Sequence, residues 1–293
     1  KGFIVSMNKI FKVVWSKTKE CYVVVSEVAK NNGGKKKVLA SVLAGLAMVG
    51  AGAMGTPVQA GTDLGNSAVN IAPNNLVGQN YANTVTSNSV VVGYMNNSSG
   101  GPGNESGKII YGANNTANRE SSLAVGNQNT ASNKSASAIG VGNTASGEAS
   151  VAMGNSSTAS GDRSIAIGSG ANATQGAAVA IGRQAEATGG SAVAVGYTNK
   201  AKKNVAVALG VNNNVDGEFS TAVGSSNTIA TDANEATVIG RTNKVNRAGS
   251  FAGGFSNVTN GERNVAIGSE NSTTGEDSIG IGKKTIAGTG KSI

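Results

Sequence analysis

The chain has 293 residues and a formal net charge of +8, with 43 glycines, only 3 prolines and no histidine. Collagen needs glycine at every third position with abundant proline, and disordered chains contain less valine, isoleucine and alanine, so both classes are excluded. The absence of histidine removes the commonest general base and metal ligand, and we expect no enzyme activity, no catalytic residue, no metal site and no cofactor.

The positive charge is confined to the first part of the chain. Residues 1–60 contain nine lysines against two acidic residues, whereas residues 61–293 contain fifteen basic and fourteen acidic residues. The larger part therefore lacks the basic field that nucleic-acid-binding proteins carry, and we expect no nucleic-acid partner.

The chain begins with a segment that resembles a known export signal. Residues 7–37, "MNKIFKVVWSKTKECYVVVSEVAKNNGGKKK", are similar over nearly their whole length to the extended signal peptide region of large autotransported surface proteins, especially trimeric autotransporter adhesins. The resemblance implies that Met7 is the start and that residues 1–6 are upstream read-through or the edge of a fragment.

Residues 38–60 have the pattern of a secretory signal peptide. Three lysines precede the apolar run Val38–Met54, and the small residues of "PVQA" place a cleavage site between Ala60 and Gly61. The run is short for a transmembrane helix, and no stop-transfer charges follow it. We predict a helical signal peptide at the N-terminus, and we expect residues 61–84 to form the N-terminal segment of the mature chain.

Residues 85–293 form a repeat array, which we predict to be truncated. A glycine closes a short apolar triplet fourteen times, with spacings of 14 residues except for one interval of 19 and one of 16. These glycines are Gly93, Gly112, Gly126, Gly140, Gly154, Gly168, Gly182, Gly196, Gly210, Gly224, Gly240, Gly254, Gly268 and Gly282. Such regular spacing is typical of a solenoid.

Other positions of the repeat are equally regular. Two residues before the glycine, alanine occurs in ten of the fourteen repeats, and three residues after it, asparagine occurs in ten. Asparagine tolerates left-handed backbone and can hydrogen-bond along a stack of its own copies. The turns recur too often for helices. We predict an all-β solenoid of 14-residue coils, each with two short strands, stacked about 4.8 Å apart.

The longer strand of each coil has two apolar faces, one of alanine and one mainly of valine and isoleucine. A thin roll has one interior, so the second face needs a partner. The pattern does not fix which face is which. Our prediction is that valine and isoleucine fill each chain's core and that alanines line a contact between chains. The candidate contact residues are Ala124, Ala138, Ala152, Ala166, Ala180, Ala194, Ala208 and Ala222.

The repeats "RSIAIGSGANAT" (163–174) and "NVAIGSENSTTG" (264–275) resemble the head repeats of YadA-like trimeric autotransporter adhesins. The resemblance implies a left-handed parallel β-roll, a homotrimer at the surface of a diderm bacterium, and binding to an extracellular-matrix protein such as collagen or to host cells. It points to two candidate ligand-binding strands, which comprise Ser164, Ile165, Ala166, Ile167 and Gly168, and Asn264, Val265, Ala266, Ile267 and Gly268. The family's stalk and C-terminal anchor, which attaches it to the outer membrane, do not follow "AGTGKSI" (287–293), so we expect a fragment.

Other features and alternatives remain open. Insertions near residues 100–108 and 231–236 are candidates for specific contacts or tolerated loops. Acidic turn residues such as Glu262 and Glu276 could form a calcium ladder, although solvated charges fit them better. The alternatives to an adhesin are a passive surface-layer or ice-binding-like solenoid, which calls for a regular threonine face, and a β-helix acyltransferase, which calls for a six-residue period and a histidine base.

Overall fold

The computed structural model describes residues 11–16, 21–26, 59–60, 69–72, 83–85, 89–99 and 106–288. The chain divides into two compact units, Lys1–Pro57 and Val58–Ile293. In the first unit, strands β1 (Phe11–Ser16) and β2 (Cys21–Ser26) pair in antiparallel fashion. The predicted signal-peptide helix falls mostly on residues 38–58, outside the described residues. Within the described part of the chain, no helix is long and apolar enough to cross a membrane.

The second unit is built from strands alone in its described residues. In chain order they are β3 (Gln59–Ala60), β4 (Val69–Ala72), β5 (Ser89–Tyr94), β6 (Lys108–Ala113), β7 (Thr116–Ala117), β8 (Leu123–Asn127), β9 (Thr130–Ala131), β10 (Ser137–Val141), β11 (Thr144–Ala145), β12 (Val151–Asn155), β13 (Thr158–Ala159), β14 (Ile165–Ser169), β15 (Asn172–Ala173), β16 (Val179–Ile181), β17 (Glu186–Ala187), β18 (Val193–Tyr197), β19 (Lys200–Ala201), β20 (Val207–Val211), β21 (Asn214–Val215), β22 (Thr221–Ser225), β23 (Thr228–Ile229), β24 (Thr237–Arg241), β25 (Lys244–Val245), β26 (Phe251–Phe255), β27 (Val258–Thr259), β28 (Val265–Ser269), β29 (Ser272–Thr273), β30 (Ile279–Lys283) and β31 (Ile286–Ala287).

These strands form two sheets. The long sheet contains β3, β4, β5 and the even-numbered strands from β6 to β30, and the short sheet contains the odd-numbered strands from β7 to β31. From β4 onward, each strand pairs in parallel with the equivalent strand of the next coil, as Ala152 does with Ala166. The predicted all-β parallel solenoid of 14-residue coils is therefore confirmed. Its hand and its trimeric assembly stay predictions.

Equivalent residues of successive coils lie in columns, and one column requires glycine. Gly168 has a φ of +137°, and a Cβ on it would overlap the carbonyl oxygen of Gly182 in the next coil. No L side chain fits that combination of backbone angle and close approach. The 14-residue glycine spacing is thus the signature of coils stacked backbone against backbone.

The core lies between the two sheets and consists mainly of alanine. Ala166 of the long sheet and Ala173 of the short sheet are both 0% exposed and belong to one continuous buried cluster. Because the 14-residue coil closes through tight turns, the space between its sheets accommodates mostly methyl groups. Larger core residues, such as Val215 and Ile229, occur in only a few coils.

Candidate binding surfaces

The prediction that alanines line a contact between chains is wrong. The eight candidates, Ala124, Ala138, Ala152, Ala166, Ala180, Ala194, Ala208 and Ala222, are each 0% exposed within the single chain. They therefore have no surface left to give to another chain. The physical reason is the narrow space between the two sheets. It has room for the alanine face, which is the smaller of the two apolar faces, and so the alanines are buried.

The outward face of the long sheet is consequently the one that carries valine and isoleucine. Several of these side chains are more than one-third exposed: Met153 38%, Ile181 37%, Val223 37%, Ile239 48%, Ile267 41% and Ile281 63%. They alternate along each strand with buried residues, which are mostly alanines, as the pleat of a strand requires. The result is an apolar surface that follows the stack of coils, which we call the apolar face.

The two candidate ligand-binding strands lie on this same sheet. In the first, Ser164 and Ala166 are 0% exposed, whereas Ile165 and Ile167 are half-buried. The second repeats the arrangement, because Asn264 and Ala266 are 0% exposed while Val265 is half-buried and Ile267 is 41% exposed. Gly168 and Gly268 are half-buried glycines without side chains. Only four side chains of the ten residues reach the surface, and all four are apolar members of the apolar face.

Buried asparagines form a hydrogen-bonded ladder through the roll, as the repeat pattern predicts. Asn129 is typical: its backbone N–H and its Nδ2 each donate to Oδ1 of Asn115 at 3.0 Å. Its Nδ2 also donates to the carbonyls of Val125 at 3.0 Å and Gly140 at 2.7 Å. The asparagine ladder comprises Asn96, Asn115, Asn129 and Asn143, and after an interruption Asn199, Asn213, Asn227, Asn243, Asn257 and Asn271. It supplies the partners that buried polar groups require.

Charged residues at the turns neutralise one another. Nε of Arg263 lies 2.6 Å from Oδ1 of Asp277, and its guanidinium also contacts Glu262 at 3.3 Å and Glu276 at 3.5 Å. The hydrogen bond and the charge of Asp277 raise the pKa of Arg263 above its ordinary value. An arginine therefore occupies the place that a calcium ladder would require for its cation. Among the described residues, no group of three or more His, Cys, Asp or Glu side chains is arranged to hold a metal ion.

The insertion at residues 231–236 is held against the roll. Thr231 donates from its hydroxyl to Asp216 at 3.1 Å, and Asp232 pairs with Arg247 at 3.2 Å. Ala233 within the insertion is fully buried. The other insertion lies partly outside the described residues, and its last residue, Lys108, is buried with Nζ donating to the carbonyl of Ser98 at 3.1 Å.

The outward face of the short sheet differs between its two halves. Threonines stack in register over four coils: Thr116, Thr130, Thr144 and Thr158. The same column continues with Asn172, Glu186 and Lys200. A regular threonine face, which the passive-solenoid alternative calls for, thus extends over four coils and then gives way to charged and amide side chains.

The predicted cleavage site lies at the start of the second unit. Ala60 is the last residue of β3, which pairs with β4 through Ala60 and Ile71. Gly61 lies outside the described residues. Cleavage between Ala60 and Gly61 stays a prediction, and it would remove β3 from the mature chain.

Comparison with protein families gives two matches. Residues 7–55 match the profile described as the Extended Signal Peptide of Type V secretion system. The profile described as the YadA head domain repeat (2 copies) matches residues 120–143, 131–157, 145–171, 159–185, 173–199 and 206–227. A comparison with curated proteins gave no match. Both matches fall where the sequence resembles the same group of surface proteins, one in the leader and one in the roll.

Proposed function

Because the chain belongs to the YadA-like trimeric autotransporter adhesins, we propose that it assembles as a homotrimer whose heads bind host extracellular matrix, such as collagen, or host cells. Both family matches support export and display at the cell surface. Attachment to the outer membrane of a diderm bacterium is part of the proposal, as is a purely adhesive, non-enzymatic role. Repeated weak contacts from three chains would add up to a high avidity.

The observation that carries the trimer proposal is the apolar face. Exposed apolar surface that is continuous over many coils is unusual on a soluble monomer and is typical of an interface. Ile181 and Ile239, among others, keep over one-third of their surface exposed in the single chain. Burial against the equivalent face of neighbouring chains around a threefold axis would remove this surface from water.

This assignment changes the proposed place of ligand contact. Valine and isoleucine of the candidate ligand-binding strands belong to the apolar face, so in the proposed trimer they serve chain association. The surfaces that remain for host ligands are the turns and the outward face of the short sheet. We therefore propose that ligand binding is a property of those surfaces.

Chemical crosslinking of the exported, cleaved chain tests the trimer. We expect wild-type chain to crosslink as a trimer, and Ile239→Lys to reduce the trimer at least tenfold, because it places a charge on the apolar face. The matched control is Thr144→Lys, since the same short-sheet column naturally carries Lys200. A wild-type chain that runs only as a monomer, or Ile239→Lys trimers as abundant as wild type, would contradict the proposal.

Binding to host surfaces is tested separately with the trimer. A panel of immobilised collagens, other matrix proteins and cultured host cells is exposed to wild-type chain, and bound protein is quantified. We expect trimer to bind at least one of these surfaces and Ile239→Lys monomer to bind it far more weakly, because avidity is lost. A trimer that binds no surface of the panel would argue for the passive-solenoid alternative, whose threonine column spans Thr116–Thr158.

A further inference from the structure

A groove lies along the outward face of the short sheet and the turns that lead into its strands β15, β17 and β19. It is open to solvent, has a volume of about 350 Å³ and is lined by Gly170, Asn172, Gln184, Glu186, Thr198 and Lys200. We propose that this groove is a binding site for a neutral, hydroxyl-rich ligand, namely one hexose-sized unit of a glycan. Its volume lies near the lower end of the range for small-molecule sites, which suits a single sugar ring.

Gly170 is the member of the lining that has no side chain. The equivalent residues of neighbouring coils are Gln128, Gly142, Ser156 and Gln184, and all five residues of this column have left-handed φ values between 54° and 67°. A Cβ on Gly170 would meet only Cγ of Gln184, at 3.7 Å. The missing side chain therefore opens the wall between neighbouring coils.

The chemistry of the lining favours a neutral polar ligand. Glu186 and Lys200 pair at 3.2 Å, so their charges cancel and neither an anion nor a cation is preferred. The side-chain amides of Asn172 and Gln184 and the hydroxyl of Thr198 have no hydrogen-bond partner within the described part of the chain. Amides and hydroxyls both donate and accept, as sugar hydroxyls do. The lining contains no aromatic or large aliphatic side chain, which disfavours a flat apolar ligand.

The position of the groove suits a ligand on a host surface. It lies on the turns and the outward face of the short sheet, which are the surfaces that the proposed trimer leaves open. All six lining residues belong to one chain, and a trimer would present three grooves. Weak binding at each groove would then be strengthened by multivalency. The inference rests on the proposed adhesive function for its biological meaning, whereas ligand binding to the groove can be measured by itself.

Two matched variants of the whole chain test the groove. Gly170→Gln fills it with a side chain that the same column carries at Gln184. Gly142→Gln makes the same change in the same column, at a φ of 66° against 67° for Gly170, but outside the groove. Any cost of replacing a left-handed glycine is thus shared by both variants. Circular dichroism and crosslinking verify that each variant folds and assembles like wild type.

Two binding measurements use these variants. Printed neutral, sialylated and sulfated oligosaccharides report binding to glycan chains, and saturation-transfer NMR with the methyl glycosides of glucose, galactose, mannose and N-acetylglucosamine reports binding to a free sugar. We expect wild type and Gly142→Gln to bind a neutral glycan. In Gly170→Gln the binding signal for that glycan should be at least tenfold lower. Signal in both experiments identifies the sugar ring itself as the ligand, and signal on the array alone identifies a sugar within a chain.

Several outcomes would overturn the inference: no binding to any neutral sugar, binding only to sialylated or sulfated chains, or equal loss in both variants. If the trimer binds matrix protein or cells but no neutral glycan, the groove inference fails and the adhesive function stands. If no trimer forms and no host surface is bound while glycan binding responds to Gly170→Gln, the proposed function fails and the groove inference stands.

Discussion

At the scale of the residue, two serines in one column differ in how well their hydroxyls are satisfied. Ser150 is buried, and its hydroxyl donates to the carbonyl of Gly147 at 2.7 Å. Ser164, one coil later, is equally buried, and its hydroxyl has no partner within the described residues. Ala178 occupies the same column in the next coil, so an alanine fits there. An unpaired buried hydroxyl costs stability, whereas a paired one contributes to it.

We therefore predict opposite effects for the same substitution at the two serines. Ser164→Ala is expected to stabilise the chain by about 1 kcal/mol because it removes an unsatisfied group, and Ser150→Ala to destabilise it by a similar amount because it removes a hydrogen bond. Thermal unfolding followed by circular dichroism measures both. Each variant is the control for the other, and shifts of equal sign would contradict the assignment.

Sequence alone predicts the glycine column but not this difference. Gly168 could be recognised because its spacing repeats and only glycine fits its backbone. Ser150 and Ser164 occupy equivalent places in the repeat, in "GEAS" and "GDRS". Whether their hydroxyls find a partner depends on the geometry of each turn, which residue type does not fix.

At the scale of the element, a shortened strand of the long sheet lies where the asparagine ladder is interrupted. Strand β16 has three residues, whereas β14 and β18 on either side have five. The ladder positions of this region are Ser157, Ala171 and Ala185. Elsewhere the ladder asparagine donates to the glycine carbonyl of the next coil, as Asn143 does to Gly154 at 2.9 Å. The interrupted coils lack this support.

Restoring the ladder should strengthen this region. In Ala185→Asn, Nδ2 would donate to the carbonyls of Ile181 and Gly196, and Oδ1 would accept from the backbone N–H of Asn199, as in every intact part of the ladder. We expect stability to rise by about 1 kcal/mol and amide hydrogen exchange at Gly182 to slow. Exchange measured by mass spectrometry and a thermal melt check both effects.

The control for this change places the same side chain where no ladder exists. Ala187 is fully buried in the short sheet, and Ala187→Asn would enclose an amide without partners. We expect it to lower stability by about 2 kcal/mol or more. If Ala185→Asn destabilises the chain as much as Ala187→Asn, the interruption is not a missing set of hydrogen bonds.

The strands and the ladder could be predicted from the sequence, whereas the identity of the buried face could not. Alanine on one face and valine or isoleucine on the other give the same alternation in either orientation. The choice depends on the distance between the two sheets, which the turns of the 14-residue coil determine. The groove was also beyond prediction, because it needs Gly170 of one coil beside Gln184 and Glu186 of the next.

At the scale of the whole molecule, the roll is a stack in which each coil contacts its neighbours in the same way. Asn213 is bonded to Asn199 before it and Asn227 after it, always at the equivalent positions. Stability in such a stack is approximately the sum of terms for each coil and each neighbouring pair. A stack of this kind should therefore tolerate a change in the number of coils but not a shift of register between them.

This leads to a prediction about deletions. Removing the fourteen residues 213–226 would join Asn212 to Asn227, so that every later residue keeps its column and the ladder continues from Asn199 to Asn227. Removing only the seven residues 213–219 would join Asn212 to Ser220, delete strand β21 and place a long strand where a short one belongs. We expect the chain without residues 213–226 to be exported, to retain β-sheet circular dichroism and to crosslink as wild type does, with a modest fall in melting temperature.

The chain without residues 213–219 should lose ordered structure beyond the junction, detectable as rapid proteolysis of the C-terminal part. Equal tolerance of both deletions would mean that the register of stacked columns does not determine the fold.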